Sequence, residues 1–239
     1  MVGNDPETLA FSCDIILRQK PFVSWLNINC GCPSARTMSS GGGSALLHHP
    51  GKITEAVRLI KKKVDIPLSV KIRIKTDRTE TIRLCQELES AGADFLILHG
   101  RTAAQGYSGE ADWELIRSVK ESLSIPLIGN GDLKNAGDGE ERVKRRYCDG
   151  FMIARAAMGN PKVFDNRELK DAQERFELLE EYISLYRQYE GEPDLKDIRI
   201  KAMNFATGAY GAAALRNAIA RARSVEEIKS LPEWREMPG

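Results

Sequence analysis

The sequence predicts an α/β fold of the TIM-type (β/α) barrel class, partial at about five βα units, followed by an all-helical C-terminal domain. Three observations predict it. From residue 5 to about 160, helix-period segments alternate with short β-rich runs, the signature of parallel βα units. The unusual residue clusters fall just after the strands, which is where a barrel gathers its chemistry. Beyond Asn160-Pro161 the strands stop and only helical periodicity continues. No GxGxxG follows the first strand, so an open dinucleotide-binding sheet lacks its fingerprint.

Asp5-Pro6-Glu7 starts a helix: a capping residue, proline at the first helical position, then an acid in the first turn. Leu9, Cys13 and Ile16 or Leu17 line one face of it. Phe22 to Ile28 is the first strand. A helix over 52–64 places Ile53, Val57, Ile60 and Val64 at helical spacing, with Lys61–Lys63 where cations suit the dipole. Pro67 to Ile72 is a buried strand and 78–91 a helix. Asp94 to Leu98 is the third strand, 112–123 a helix and Ile125 to Ile128 the fourth strand. A glycine-broken helix near 136–146, expected to be loose because of Gly137 and Gly139, leads to the fifth strand, Gly150 to Ile153. Leu169, Ala172, Phe176, Leu179, Ile183 and Tyr186 then form the stripe of a long helix. Further helices start near 195 and 211, and Ser224–Glu227 is a capping box for a last one. The expected domains are residues 1–161 and 162–239.

Composition excludes several classes. The 239 residues are 42% hydrophobic and 29% charged with a net charge of +1, enough apolar content for a sizeable core and no globally basic surface. No apolar run approaches the ~20 residues that span a bilayer. The five cysteines have neither CxxC nor zinc-ligand spacing, so free thiols in a reducing cytoplasm are expected, with no metal. Charge in the tail is segregated. Residues 165–194 carry ten acids against four bases, and 196–223 carry Lys196, Arg199, Lys201, Arg216, Arg221 and Arg223 against Asp197. On patterning alone that basic stretch reads as a solvated helix face.

Six clusters are candidates for chemistry. In Asn27–Pro33, Gly31 permits an unusual backbone angle and Pro33 bars helix continuation, holding Cys32 on a stiff loop at the strand's mouth. A free thiol, with a pKa near ~8.5, is mostly protonated at neutral pH and can donate a proton. Cys13, Cys85 and Cys148 read as small buried hydrophobes, whereas at least one of Cys30 and Cys32 reads as functional. Gly41–Gly43 with Ser44 is either a phosphate cradle or a flexible loop. Lys71 alternates with Val70 and Ile72 and should point into the barrel mouth, where a buried lysine needs an anionic or electron-rich partner. His99-Gly100-Arg101 repeats the pattern one strand on, Asn130-Gly131-Asp132 follows the next strand, and Ala154-Arg155-Ala156 the last. Loops after a barrel's final strands commonly bind phosphate. The sum is a phosphate-bearing cofactor across the mouth with a protonated thiol above it.

Cys30-Gly-Cys-Pro33, Val70-Lys-Ile-Arg73, the stretch His99–Trp113, Ile128-Gly-Asn-Gly-Asp132 and Met152–Pro161 occur in order. Together they resemble the tRNA-dihydrouridine synthase family over almost the whole chain, and Gly208–Arg216 looks like that family's helical RNA-binding tail. The resemblance implies an FMN enzyme that reduces the C5=C6 bond of a uridine in tRNA, with NADPH or NADH as reductant. It implies hydride delivery to C6 and protonation of C5 by Cys32. It assigns Lys71 and His99 to the flavin, Asn130, Gly131 and Asp132 to its ribityl-phosphate side, and Ala154-Arg155 to the phosphate. Many members have Gly-Arg there. The uridine would leave its stack, held by Arg101 near the site and by Arg199, Lys201, Arg216, Arg221 and Arg223 along the tRNA backbone. Two other readings stay open: a flavin barrel such as a dihydroorotate dehydrogenase, and a fragment with residual RNA binding.

Departures from the family pattern set a further expectation. The Pro-Met-Ala flavin motif of the family's first strand and the Gln ending its third are absent, and Arg36 stands where Lys is common. With a tail of roughly 75 residues, about 160 remain for a barrel that typically needs ~250. The expectation is a chain truncated at its N-terminus relative to the family.

Overall fold

A computed structural model describes residues 1–208 and 211–234. Ala209 and Tyr210, inside the Gly208–Arg216 stretch, lie outside the described residues. The chain divides into two compact units, Met1–Leu133 with Asp138–Ile153, and Lys134–Gly137 with Ala154–Gly239.

The first unit is a five-stranded, wholly parallel sheet in the order β1-β2-β3-β4-β5, with β1 Leu26–Cys30, β2 Leu68–Arg73, β3 Phe95–His99, β4 Leu127–Asn130 and β5 Gly150–Met152. Sequential strands are neighbours, as βα repetition demands. Helices α1 (Pro6–Gln19), α3 (Pro50–Lys61), α4 (Arg78–Ser90) and α5 (Trp113–Glu121) pack on one another in succession along the sheet. α2 (Ala35–Ser39) and a 3-10 helix, Gly43–His48, sit between β1 and α3. The core is Ile28, Leu68, Val70, Ile72, Leu96, Leu98 and Leu127 from the strands, with Ile53, Ile60, Leu88 and Ile116 from the helices.

Four of the strands run one or two residues further toward their carboxyl ends than hydrophobic periodicity predicts. Cys30, Arg73, His99 and Asn130 are the last residues of their ladders, because main-chain pairing is indifferent to the side chain carried. At the other end, Pro21-Phe22 forms a turn instead of a strand start, and Phe22 is 77% exposed. The segment expected to be loose is the regular helix α6, Ala136–Lys144. Gly139 fits that helix for a packing reason: a Cβ there would collide with the ring of Phe151 on β5. The close approach of helix to strand requires glycine and offsets its poor propensity.

The second unit contains the short helix α7 (Arg155–Gly159) and then α8 (Ala172–Tyr189), α9 (Leu195–Phe205), α10 (Ala212–Arg221) and α11 (Val225–Lys229). Its core gathers Phe176, Leu179, Ile183, Ile198, Phe205, Leu215, Ile219, Ile228 and Trp234. Ser224 caps α11 through Glu227 N, and Asp171 caps α8 through Glu174 N. Glu174 also ties down the segment before its helix. Its carboxylate accepts from Lys162 Nζ at 2.8 Å, Lys170 N at 2.9 Å and Arg167 Nη2 at 3.2 Å. These bonds, Lys162 first, push its pKa from 4.5 down to about 2. A depressed carboxylate stabilises the fold fully above its unfolded pKa, and the contribution disappears as pH falls through the folded value. Melting temperature should therefore fall between pH 4.5 and about 2 more steeply in the parent than in Glu174→Gln, which a thermal-melt series in acid checks.

Candidate active site

The carboxyl ends of β1 to β4 carry seven of the expected residues: Cys32, Lys71, His99, Arg101, Asn130, Gly131 and Asp132. At β1, Asn29 Oδ1 accepts from Gly31 N at 3.1 Å, turning the chain so that Cys30 and Cys32 face different surroundings. Cys30 is fully buried, and desolvation pushes its thiol up to about 12, so it is inert. Cys32 is half-buried, with Sγ 3.4 Å from Ser34 Oγ and 3.5 Å from Thr37 Oγ1. Those hydroxyls, Ser34 first, hold its pKa below the ordinary thiol value. Of the five cysteines, Cys32 is the one with access to a substrate; the other four are buried.

The loop is fixed from behind by the end of the glycine run. Ser44, itself buried, donates to Cys32 O through both N (2.9 Å) and Oγ (3.0 Å). Gly43 has φ +58° and faces Cys32: an added Cβ would lie 2.6 Å from Cys32 O and 2.8 Å from Thr37 Cγ2.

Lys71, near the end of β2, places Nζ 3.4 Å from Asn130 Oδ1 on β4. Burial, followed by the Arg73 charge, lowers its pKa to about 8. Asn130 is held in turn by Nδ2 donating to Met152 O at 2.7 Å. His99, at the end of β3 and 7% exposed, is pushed down to about 3 by burial and then by Arg73, Lys71 and Arg101. It is neutral throughout the physiological range. Arg73 is a residue to which the sequence reading gave no role of its own. It is 3% exposed and donates to Gly31 O (2.9 Å), Thr102 O (3.0 Å) and Gly106 O (2.9 Å). Its guanidinium joins the cysteine loop to the loop after β3. Hydrophobic periodicity ends the strand at Ile72, before Arg73, and carries no sign of these carbonyl partners.

Arg101 and Asp132 serve the same loops. Arg101 is 3% exposed, 2.7 Å from Asp132 Oδ1, and donates to the carbonyls of Ser108 and Gly109. Asp132 Oδ2 accepts from Ala111 N at 2.8 Å, and Trp113 Nε1 donates to Gly131 O at 3.2 Å. Most of the His99–Trp113 stretch is thus scaffold for the strand ends.

In the second unit, Ala154 and Arg155 are exposed at the start of α7. Arg199 donates to Ile219 O and Ala222 O, neutralising the C-terminal end of α10, and Lys201 Nζ lies 5.1 Å from the Tyr182 ring centroid. Arg216, Arg221 and Arg223 are exposed. Among the described residues no His, Cys, Asp or Glu group is arranged to hold a metal ion, and no helix is long and apolar enough to cross a membrane.

A parallel βα sheet whose strand ends collect one accessible thiol, a lysine of lowered pKa and a neutral histidine places this chain in the α/β class, with its reactive groups at the carboxyl edge, where that class carries its sites. Residues 1–235 match the family model for dihydrouridine synthase (Dus), and the chain belongs to that family. It is 34% identical to the probable tRNA-dihydrouridine synthase 1 of Synechocystis over 218 residues, 86% of this chain and 61% of that protein. It is 31% identical to the probable tRNA-dihydrouridine synthase of Aquifex aeolicus over 245 residues, 98% of this chain and 77% of that protein. Identity to tRNA-dihydrouridine synthase B of Yersinia pestis is 34% over 75% of this chain and 55% of that protein. The chain thus spans between about half and three quarters of these relatives.

Proposed function

We propose that the chain carries the catalytic site of a flavin-dependent tRNA-dihydrouridine synthase, built on a TIM-type (β/α) barrel framework. The observation that carries this reading is Cys32: an accessible thiol just after β1, with Lys71 and His99 at the ends of the next two strands and its loop clamped on both sides. The donor set suits FMN. Lys71 is a desolvated ammonium beside one amide oxygen, so it gains from an electron-rich ring, and His99 remains a neutral hydrogen-bonding group. Lys71, His99 and Asn130 would hold the flavin, with Gly131 and Asp132 along its ribityl side. A flavin held by these residues and reduced by NADPH or NADH would supply the hydride for C6 of the uridine.

Cys32 supplies the matching proton from Sγ–H to C5 and is left as a thiolate, which water reprotonates. Arg73 and Ser44 keep that sulfur in place through the carbonyls of Gly31 and Cys32. The test is flavin retention and uridine reduction measured on one preparation: yellow protein that converts uridine to dihydrouridine supports the reading, and colourless, inactive protein refutes it.

For the tail, the exposed Arg216, Arg221 and Arg223 suit the tRNA backbone, with Lys201 alongside and Arg199 holding α10. Reversing charge at Arg216 and Arg221 together should weaken tRNA binding about tenfold and reduce its salt dependence by about two counterions. Filter binding across a salt series, with the flavin spectrum as control, reads both effects. Unchanged binding returns these residues to an ordinary solvated face.

A further inference from the structure

The loop that carries Cys32 holds more polar machinery than a clamp needs. Ser34 donates to Thr37 Oγ1 at 2.8 Å, and both hydroxyl oxygens lie within 3.5 Å of Cys32 Sγ. The three atoms close a triangle on the half-exposed face of the loop. Backbone requirements explain part of it: Ser34 is the N-cap of α2, accepting from Thr37 N at 3.3 Å. They do not explain Thr37, whose Oγ1 takes no part in capping and whose methyl group already packs toward Gly43. A hydroxyl beside a sulfur can accept from the thiol and, after rotation, donate to the thiolate. The charged groups facing Cys32 from neighbouring elements are Lys71 and Arg73 on β2, both cationic. The hydroxyl pair therefore acts within a field that already favours negative charge at sulfur.

We propose that Ser34 and Thr37 are positioning residues for proton transfer from Cys32, their hydroxyls fixing the thiol and stabilising the thiolate left when its proton departs to carbon. The proposal deepens the assignment of Cys32 as proton donor and rests on it. Atoms balance simply: the S–H bond breaks, a C–H bond forms, and the sulfur keeps the electron pair and rotates the two hydroxyl protons toward itself.

The test is the pH dependence of Cys32 alkylation by iodoacetamide, a neutral probe that needs neither flavin nor tRNA. Peptide mass analysis locates the adduct, and the other four cysteines are buried. Thiolate is the reacting form, so removing a stabilising hydroxyl moves the titration upward. Thr37→Val, nearly isosteric, should slow alkylation at neutral pH about three- to tenfold, and Thr37→Ser should restore it to within about twofold of the parent. Ser34→Asp keeps a helix cap but sets a carboxylate by the sulfur, and should slow it further. Should Thr37→Val fail to fold, Ser34→Gly, which removes the hydroxyl without adding charge and leaves the cap position tolerable, should slow alkylation about threefold against the parent, and a parent-like rate overturns the proposal. Parent-like titration in the folded variants overturns the proposal. The outcome is independent of the proton-donor assignment, which falls only if Cys32→Ala still reduces uridine.

Discussion

Cys32→Ala should lower uridine reduction in tRNA by about 10²- to 10⁴-fold, the range lost when a positioned general acid is removed. Flavin retention should not change, because the groups assigned to the flavin are Lys71, His99 and Asn130, and none bonds to the cysteine side chain. Cys30→Ala should behave oppositely. Its thiol is fully buried with a pKa near 12, so its loss costs packing and leaves turnover nearly intact. A single-turnover assay with prereduced enzyme separates the two, since it reads the chemical step without cofactor exchange. A dead Cys30→Ala beside an active Cys32→Ala would reverse the assignment.

Gly43→Ala is expected to be nearly as damaging, by a different route. The position combines a left-handed backbone, φ +58°, with a Cβ direction that ends 2.6 Å from Cys32 O. Strain of this kind costs of order 1–3 kcal/mol where the structure holds the conformation. The alternative is to move the loop, and the atoms that would move are Cys32 and Thr37 themselves. A displacement of the proton donor by an ångström can cost about a hundredfold in rate. Thermal melting should show the strain and single-turnover kinetics the displacement; a variant normal in both would mean the glycine run does not hold the cysteine loop.

The parallel βα architecture is legible because buried strands are rich in aliphatic residues: Phe95–Leu98 is an unbroken apolar run, and Leu68–Ile72 sets Leu68, Val70 and Ile72 at alternate positions. Their true ends were less so. Arg73, His99 and Asn130 look like loop residues to any reading based on apolarity, yet they complete the ladders by main-chain bonds. α2 is too short and polar to show amphipathic periodicity, so the element that presents Ser34 and Thr37 had no signature. The identities of Cys32, Lys71 and His99 stood out from their places at successive strand ends. The support did not: that Arg73 binds three carbonyls, that Gly43 abuts Cys32 and that Arg101 turns into its own loop are facts of tertiary approach. Gly139 gives the same lesson, since propensity reads it as a weakness and packing against Phe151 makes it a requirement.

On the proposed function, these strand ends reduce uridine using a bound flavin. The most direct measurement of that reaction is the dihydrouridine content of unmodified tRNA after incubation with the protein, FMN and NADPH, read by nucleoside mass spectrometry. The expected result is a uridine-derived nucleoside heavier by two hydrogens that disappears when the protein is stripped of flavin, when NADPH is withheld and when Cys32 is alanine. Dihydrouridine formed equally well without Cys32, or none formed by protein that has bound its flavin and tRNA, would contradict it.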